Sequence, residues 1–186
     1  MLTMMHLKSF ASLFFCLILS LHSTAQVNQN VYITGRLVNF DNRTAIADFS
    51  ELADLRLLSQ ERELVPDKNG RFSLKFPLKE PNYFLLGRNI LYLSPGDKLD
   101  VVVDYSAPLE SSFHGTAETV NNYLKTVPSP HAGSYLNGGL NLKKTIKETV
   151  DNIVSLAQQR RNVLTSTRGV PGDFVHYENA RIDTDI

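Results

Sequence analysis

The chain has 186 residues, with 19 basic and 19 acidic side chains, so its formal net charge at neutral pH is zero. This balance, together with the lack of a basic stripe along the sequence, argues against nucleic acid as a partner. The chain is long enough for one ordinary domain, or for one small domain with an appendage.

The first 25 residues have the pattern of a secretory signal peptide. Lys8 supplies a positive N-terminal region, an apolar stretch runs from Phe10 to Leu21, and small residues follow at 23–25. The apolar stretch is too short to span a bilayer, which needs about 20 residues. We therefore expect an exported, periplasmic protein that begins near Gln26 and is not transmembrane after cleavage.

The only cysteine, Cys16, lies inside this apolar stretch and would be removed with it. A lipid anchor would need a small residue immediately before the cysteine. Phe15 stands there instead, so we do not expect an anchor. The mature chain would have no thiol for a disulfide bond, for thiolate catalysis or for metal binding.

Residues 26–115 are patterned as short β-strands separated by turns. The stretch "VYITGRLVNF" alternates roughly, and Gly35 interrupts it as a β-bulge would. Further strands are predicted in "DLRLLSQ", "RELVP" and "RFSLKFP", and "DKNG" before the last of these fits a tight hairpin. In "RFSLKFP", Phe72, Leu74 and Phe76 are expected to face the core.

The next strands, "YFLLG" and "ILYL", are predicted to reverse at Arg88-Asn89. Pro95-Gly96 fits the centre of a type II turn, because proline presets φ and glycine accepts a positive φ without strain. The residues expected on the buried face of the following strand are Leu99, Val101 and Val103. About seven short strands with turns between them predict a small antiparallel β-sandwich.

Residues 116–186 are predicted to be helical, so the fold class is mainly β, with a β-sandwich followed by an α-helical segment. Thr116 is the expected N-cap of a first short helix. A linker rich in proline and glycine then leads to a long amphipathic helix, and a last helix begins near Phe174. The apolar stripe of the long helix is expected at Leu142, Ile146, Val150, Ile153, Ala157 and Leu164. Nothing in the sequence is an obvious partner for it, which suggests that a further domain buries it.

No catalytic or metal-binding constellation is predicted. The three histidines of the mature chain are not at metal-ligand spacing and are interpreted as solvated or capping residues: His114, His131 and His176. Three aspartates could resemble a calcium cluster, but a solvated strand face suits them better: Asp97, Asp100 and Asp104. No cofactor is predicted. Tyr92 and Tyr105 are the candidates for an exposed aromatic platform that would bind a carbohydrate or another cell-envelope ligand.

Five stretches together carry a family resemblance. They are "VYITGRLVNF", "PDKNGRFSLKFPL", "YLSPGDKLDVVVDY", "SSFHGTAETVNNYL" and "GVPGDFVHYENARID". With them the chain resembles the N-terminal accessory region of exported thioredoxin-like (TlpA/ResA-type) thiol-disulfide oxidoreductases of Gram-negative bacteria. In that family a signal peptide leads into a β-sandwich domain of unknown function, then a helical segment, then a thioredoxin-like domain.

The resemblance implies a non-catalytic accessory or interaction domain. The family's Cys-x-x-C pair has no counterpart here, so no catalytic residue is carried over, and no enzyme activity is expected. The expected partner is a protein or a cell-envelope component, with a missing thioredoxin-like domain as one candidate. A truncated relative, a gene fragment and a free-standing accessory protein all remain open. The alternative function is a free-standing module that binds carbohydrate or another cell-envelope ligand.

Overall fold

The computed structural model describes residues 29–41, 44–48, 61–127, 135, 139–184 and 186. The predicted signal peptide with Cys16, the predicted strand "DLRLLSQ" and His131 lie outside the described residues. Eight strands lie within them: β1 Asn30–Val38, β2 Ala45–Asp48, β3 Glu61–Glu63, β4 Arg71–Pro77, β5 Asn82–Leu86, β6 Asn89–Leu93, β7 Lys98–Asp104 and β8 Ser112–Gly115. After the strands come the helices α1 Glu118–Lys125, α2 Ile146–Ser166 and α3 Gly172–Thr184, and a short 3₁₀ turn, Pro108–Glu110, precedes β8.

The strands form two four-stranded sheets that pack face to face. The first sheet has the order β4-β1-β7-β8 and the second the order β3-β2-β5-β6. Strands β1 and β7 pair in parallel, and the other pairs among the described strands are antiparallel. The predicted fold class, a mainly antiparallel sandwich followed by helices, is confirmed.

Gly35 does not form the bulge that its sequence position suggested. Strand β1 pairs without interruption with β4 on one side and with β7 on the other. A Cβ atom on Gly35 would lie 1.9 Å from the carbonyl oxygen of Val101, and the φ of Gly35 is 154°. Glycine is therefore required by the close approach of two strands in the centre of the sheet.

The turn before β7 has the predicted conformation. Gly96 has a φ of 90°, and the backbone N–H of Asp97 donates to the carbonyl of Ser94 over 3.1 Å. The carboxylate of Asp97 in turn accepts a bond from the N–H of Ser94 at 2.7 Å. The predicted alternation that follows is also confirmed, since Leu99, Val101 and Val103 are buried.

Two other turns differ from the sequence-based prediction. The reversal between β5 and β6 lies one residue earlier than predicted, at Gly87-Arg88, because Leu86 pairs with Asn89. The "DKNG" turn leads from β3 of the second sheet to β4 of the first, so it is a connection between sheets and not a hairpin.

Two apolar cores lie on opposite faces of the second sheet. The first core fills the space between the sheets and includes Ile33, Phe84 and Phe113. The second lies between the outer face of the second sheet and the helices, where Tyr92 meets Phe174. All five residues of β6 are buried, because this strand has a core on each face.

The helix starts differ from prediction by a few residues. Thr145 caps α2 in a capping box with Glu148, so the helix begins at Ile146 and not at Leu142. The residue at the N-cap of α1 is Ala117. The hydroxyl of Thr116, the predicted cap, instead donates to the carboxylate of Asp97 at 2.6 Å.

The apolar stripe of α2 is covered over only part of its length. Its C-terminal members, Ile153, Ala157 and Leu164, are buried, so the expectation that the chain offers this stripe no partner is wrong for this part. The two N-terminal members within the helix, Ile146 and Val150, are 85% and 51% exposed, while Leu142, the third residue expected there, lies before the helix and is 57% exposed. We call Ile146 and Val150 the uncovered row. Helix α3 has 13 residues against 21 in α2, so it is about 12 Å shorter and leaves the N-terminal end of α2 uncovered.

Candidate functional site

A buried carboxylate lies at the centre of the helical layer. Glu178 on α3 is fully buried and accepts bonds from Arg160 on α2, with Nε at 3.1 Å and Nη2 at 2.5 Å. Arg181, one turn further along α3, donates to the same carboxylate from Nε and Nη2, both at 2.9 Å. The pair between Arg160 and Glu178 fixes α3 against α2 inside the second core.

Two tyrosine hydroxyls complete the shell around this carboxylate. The hydroxyl of Tyr123 on α1 donates to Glu178 at 3.1 Å, and that of Tyr83 on β5 donates at 3.5 Å. One acidic side chain therefore connects α1, α2, α3 and the second sheet. A buried charge is tolerated when it is paired and hydrogen-bonded in this way.

The charges of the cluster set its pKa values. Burial alone would raise the pKa of Glu178, but the hydrogen bonds and positive charge of Arg181, with those of Arg160, outweigh it and lower that pKa. Burial, together with the nearby charge of Glu178, raises the pKa of Tyr123 to about 12. A carboxylate held by two guanidinium groups is a weak base, so this arrangement favours a structural role over proton transfer.

The edge of the second sheet is closed by a side chain of α1. Strand β6 is the last strand of that sheet. The N–H of Tyr92 donates to Oδ1 of Asn121 at 2.8 Å, and Nδ2 of Asn121 donates to the carbonyl of Tyr92 at 3.1 Å. The amide of Asn121, which is fully buried, thus replaces a neighbouring strand at this position.

Tyr92 and Tyr105, the predicted ligand-face residues, are in different places. Tyr92 is 2% exposed; its ring lies 4.9 Å from that of Phe174 and its hydroxyl donates to Asp173 at 3.3 Å. Tyr105 follows β7 of the first sheet, is partly buried against the first core and lies over Gly87. The structure does not bring the two rings together, and α3 covers that of Tyr92.

The histidines and aspartates considered as ligands are also apart. His114 lies at a strand end, 3.7 Å from Glu118, and His176 is on α3. The carboxylate of Asp97 accepts hydrogen bonds from the N–H of Ser94 and the hydroxyl of Thr116. The carboxylate of Asp100 accepts one from the hydroxyl of Thr34 at 3.2 Å. Asp104 accepts bonds from Asn39 and from the backbone of Ala107. Within the part of the chain that the structure describes, no group of three His, Cys, Asp or Glu side chains is placed to hold a metal ion.

The sequence reasoning missed Arg160, Glu178 and Asn121. A signal for the first two was present: Glu178 stands four residues after Phe174 and four before Ile182, on the apolar face of α3. Arg160 likewise falls on the buried stripe of α2, between Ala157 and Leu164. Charged residues at apolar stripe positions on two successive helices indicate a buried pair. No comparable local signal pointed to Asn121.

The described residues border two concave surfaces. A cleft of about 480 Å³ lies between the C-terminal end of α1 and α2, and it is bordered by Lys125, by Leu156 and by Arg160 of the buried cluster. A wider, shallow depression of about 740 Å³ crosses the first sheet near Lys98, Asp100 and His114.

None of the helices among the described residues is both long and apolar enough to cross a membrane.

Comparison with known proteins finds no relative of this chain. No protein-family model matches it, and neither curated proteins nor solved structures give a match.

Proposed function

We propose that the protein is a non-catalytic accessory domain, exported to the periplasm, that acts by binding a thioredoxin-like domain. The observation that carries this proposal is the uncovered row on α2. Its two aliphatic side chains, Ile146 and Val150, continue a stripe that is core elsewhere along the same helix. An apolar helix face of this kind suits docking against another folded surface.

The resemblance to the accessory region of thioredoxin-like oxidoreductases supports the choice of partner. The motifs that carry it fall on structural elements: β1, β4, the turn before β7, the start of α1 and the start of α3. The family places its thioredoxin-like domain next to the helical segment, and the uncovered row belongs to that segment. The carboxylate of Glu178 is held by two arginines, so the proposal assigns it a structural role.

A binding titration tests the proposal. The purified protein is titrated calorimetrically with the thioredoxin-like domain of an exported oxidoreductase from the same organism. We expect saturable binding that weakens at least about tenfold when Ile146→Asp or Val150→Asp places a charge in the apolar contact, since truncating or charging a central contact typically costs 1.4 kcal/mol or more, roughly a factor of ten.

Ser155→Asp is the matched control. Ser155 is an exposed residue of the same helix and lies about 140° around it from Val150, at 3.6 residues per turn. This variant should bind as the unmodified protein does. Absence of binding at saturating concentrations, or equal weakening by all three substitutions, would count against the proposed partner.

A further inference from the structure

The cleft between α1 and α2 has the size and form of a small-molecule site. Its volume is about 480 Å³, within the range of about 300–1,000 Å³ that is usual for ligand pockets. Helix α1 contributes Lys125 to its wall, Val127 follows two residues after the end of that helix, and α2 contributes Leu156, Arg160 and Val163. We call this surface the α1–α2 cleft.

The charged groups of the α1–α2 cleft are positive. Lys125 and Arg160 border it, and none of the described lining residues is an aspartate or a glutamate. The side chain of Arg160 is 4% exposed, and its pKa is raised by Glu178 in spite of burial. Arg160 is therefore charged at neutral pH, and the buried cluster to which it belongs has two guanidinium groups, those of Arg160 and Arg181, to one carboxylate, that of Glu178.

The buried cluster holds Arg160 in place, and a backbone carbonyl holds Lys125. Arg160 is fixed by its two bonds to Glu178, and Nζ of Lys125 donates to the carbonyl of Ser111 at 2.8 Å. An ammonium group has three donors, so Lys125 keeps donors for a ligand beyond the one that this bond uses. A preorganised cation loses little freedom when it binds an anion.

The remainder of the wall is largely aliphatic. Val127, Leu156 and Val163 line the α1–α2 cleft together with Leu109 of the 3₁₀ turn. Leu109 and Val163 are exposed, so a ligand's hydrocarbon part would remove apolar surface of the protein from water on binding.

We infer that the α1–α2 cleft binds a small amphipathic anion, with its carboxylate or phosphate head near Lys125 and Arg160 and a short apolar tail along Leu156 and Val163. This site is separate from the uncovered row, and the inference does not depend on the proposed function. A carboxylate and a phosphate share the negative charge and the acceptor oxygens that the ammonium group of Lys125 recognises. The guanidinium group of Arg160, whose Nε and Nη2 donate to Glu178, adds positive charge at the same end of the cleft.

Calorimetry with small probes tests the inference on the purified protein. Hexanoate carries head and tail, acetate carries only the head, and 1-hexanol carries only the tail, while hexyl phosphate distinguishes a phosphate head from a carboxylate. We expect hexanoate or hexyl phosphate to bind at least about tenfold more tightly than acetate and 1-hexanol, because charge and apolar contact contribute together.

Two substitutions assign the binding to the α1–α2 cleft. Lys125→Gln removes a charge at the head end, and Val163→Asp places a carboxylate at a half-exposed position of the tail end; each should weaken binding about tenfold or more. Lys143→Gln, an exposed lysine outside the cleft, should leave binding unchanged. Equal affinity for 1-hexanol and the anions, unchanged binding in both cleft variants, or no binding of either anion would overturn the inference.

Discussion

The side-chain amide of Asn121 bonds to both backbone polar groups of Tyr92 and so closes the open edge of the second sheet. The same Nδ2 group also donates at 2.8 Å to the carbonyl of Ala117, the N-cap residue of α1. A single buried amide thus joins the sandwich to the helical layer.

Replacing Asn121 should lower the stability of the folded protein substantially. Asn121→Leu leaves the N–H and carbonyl of Tyr92 without their partner, and each unsatisfied buried group costs about 1–3 kcal/mol. We expect the free energy of unfolding to fall by about 3 kcal/mol in urea denaturation. Asn122→Ala, which removes one bond from the next residue to the carbonyl of Phe113, should cost only about 1 kcal/mol. Equal losses of unfolding free energy in the two variants would show that the bonds of Asn121 at the sheet edge contribute no more to stability than an ordinary hydrogen bond.

The buried pair between Arg160 and Glu178 should also contribute strongly to the free energy of unfolding. Glu178→Gln removes the negative charge between Arg160 and Arg181 and leaves two buried guanidinium groups poorly compensated. Breaking a buried pair in this way costs about 3–5 kcal/mol, measurable by the same denaturation. The exposed pair between Arg161 and Asp183 is the comparison, because Asp183→Asn should cost less than about 1 kcal/mol. A loss for Glu178→Gln as small as this would contradict the central position given to the cluster.

Stability should also depend on pH in the acid range. The pKa of Glu178 in the folded protein is lowered from its ordinary value of 4.5, so its contribution is complete above pH 4.5 and is lost as the pH falls through the folded value. Asp104 behaves similarly: the N–H of Ala107 and other donors lower its pKa from 3.8 to about 2.

Denaturation midpoints measured from neutral pH down to pH 2 check this dependence. The unmodified protein should lose stability progressively as the pH falls below 4.5. Glu178→Gln and Asp104→Asn should each give a flatter curve, because the substituted side chain no longer titrates. A curve for Glu178→Gln that runs parallel to that of the unmodified protein would show that this carboxylate makes no such contribution.

The turn before β7 gives a test of conformation alone. Gly96 has a φ of 90°, which a β-branched residue adopts only with strain of about 1–3 kcal/mol. Gly96→Val should therefore lower the melting temperature. Gly172→Ala, at the first position of α3 with no atom near its Cβ position, should be neutral or slightly stabilising. An unchanged melting temperature for Gly96→Val would mean that the turn tolerates another conformation.

The sequence predicted best those elements whose signal is local. Alternation around Val101 and the proline-glycine turn gave the strand and its buried face, because strand period and turn chemistry act within a few residues. The long helix was predicted from its stripe, but its start was not, since the capping box of Thr145 and Glu148 was overlooked.

What could not be predicted depends on contacts distant in the sequence. The parallel pairing of β1 with β7 joins residues more than 60 positions apart in the sequence. Neither strand has a sequence pattern that identifies its neighbour in the sheet. Asn121 acts on Tyr92 from 29 residues away, and its role follows only from the placement of α1 at the sheet edge. The division of the α2 stripe into covered and uncovered parts likewise depends on where α3 ends along α2.

The position of the proposed contact can be measured directly by methyl NMR. Labelled Ile146, Val150 and Ile153 methyl groups are followed while the thioredoxin-like domain is added. The account predicts saturable shifts of the Ile146 and Val150 signals, which belong to the uncovered row, and little change for buried Ile153. Signals of Ile146 and Val150 that stay unchanged while other regions shift would place the interface elsewhere and contradict the account.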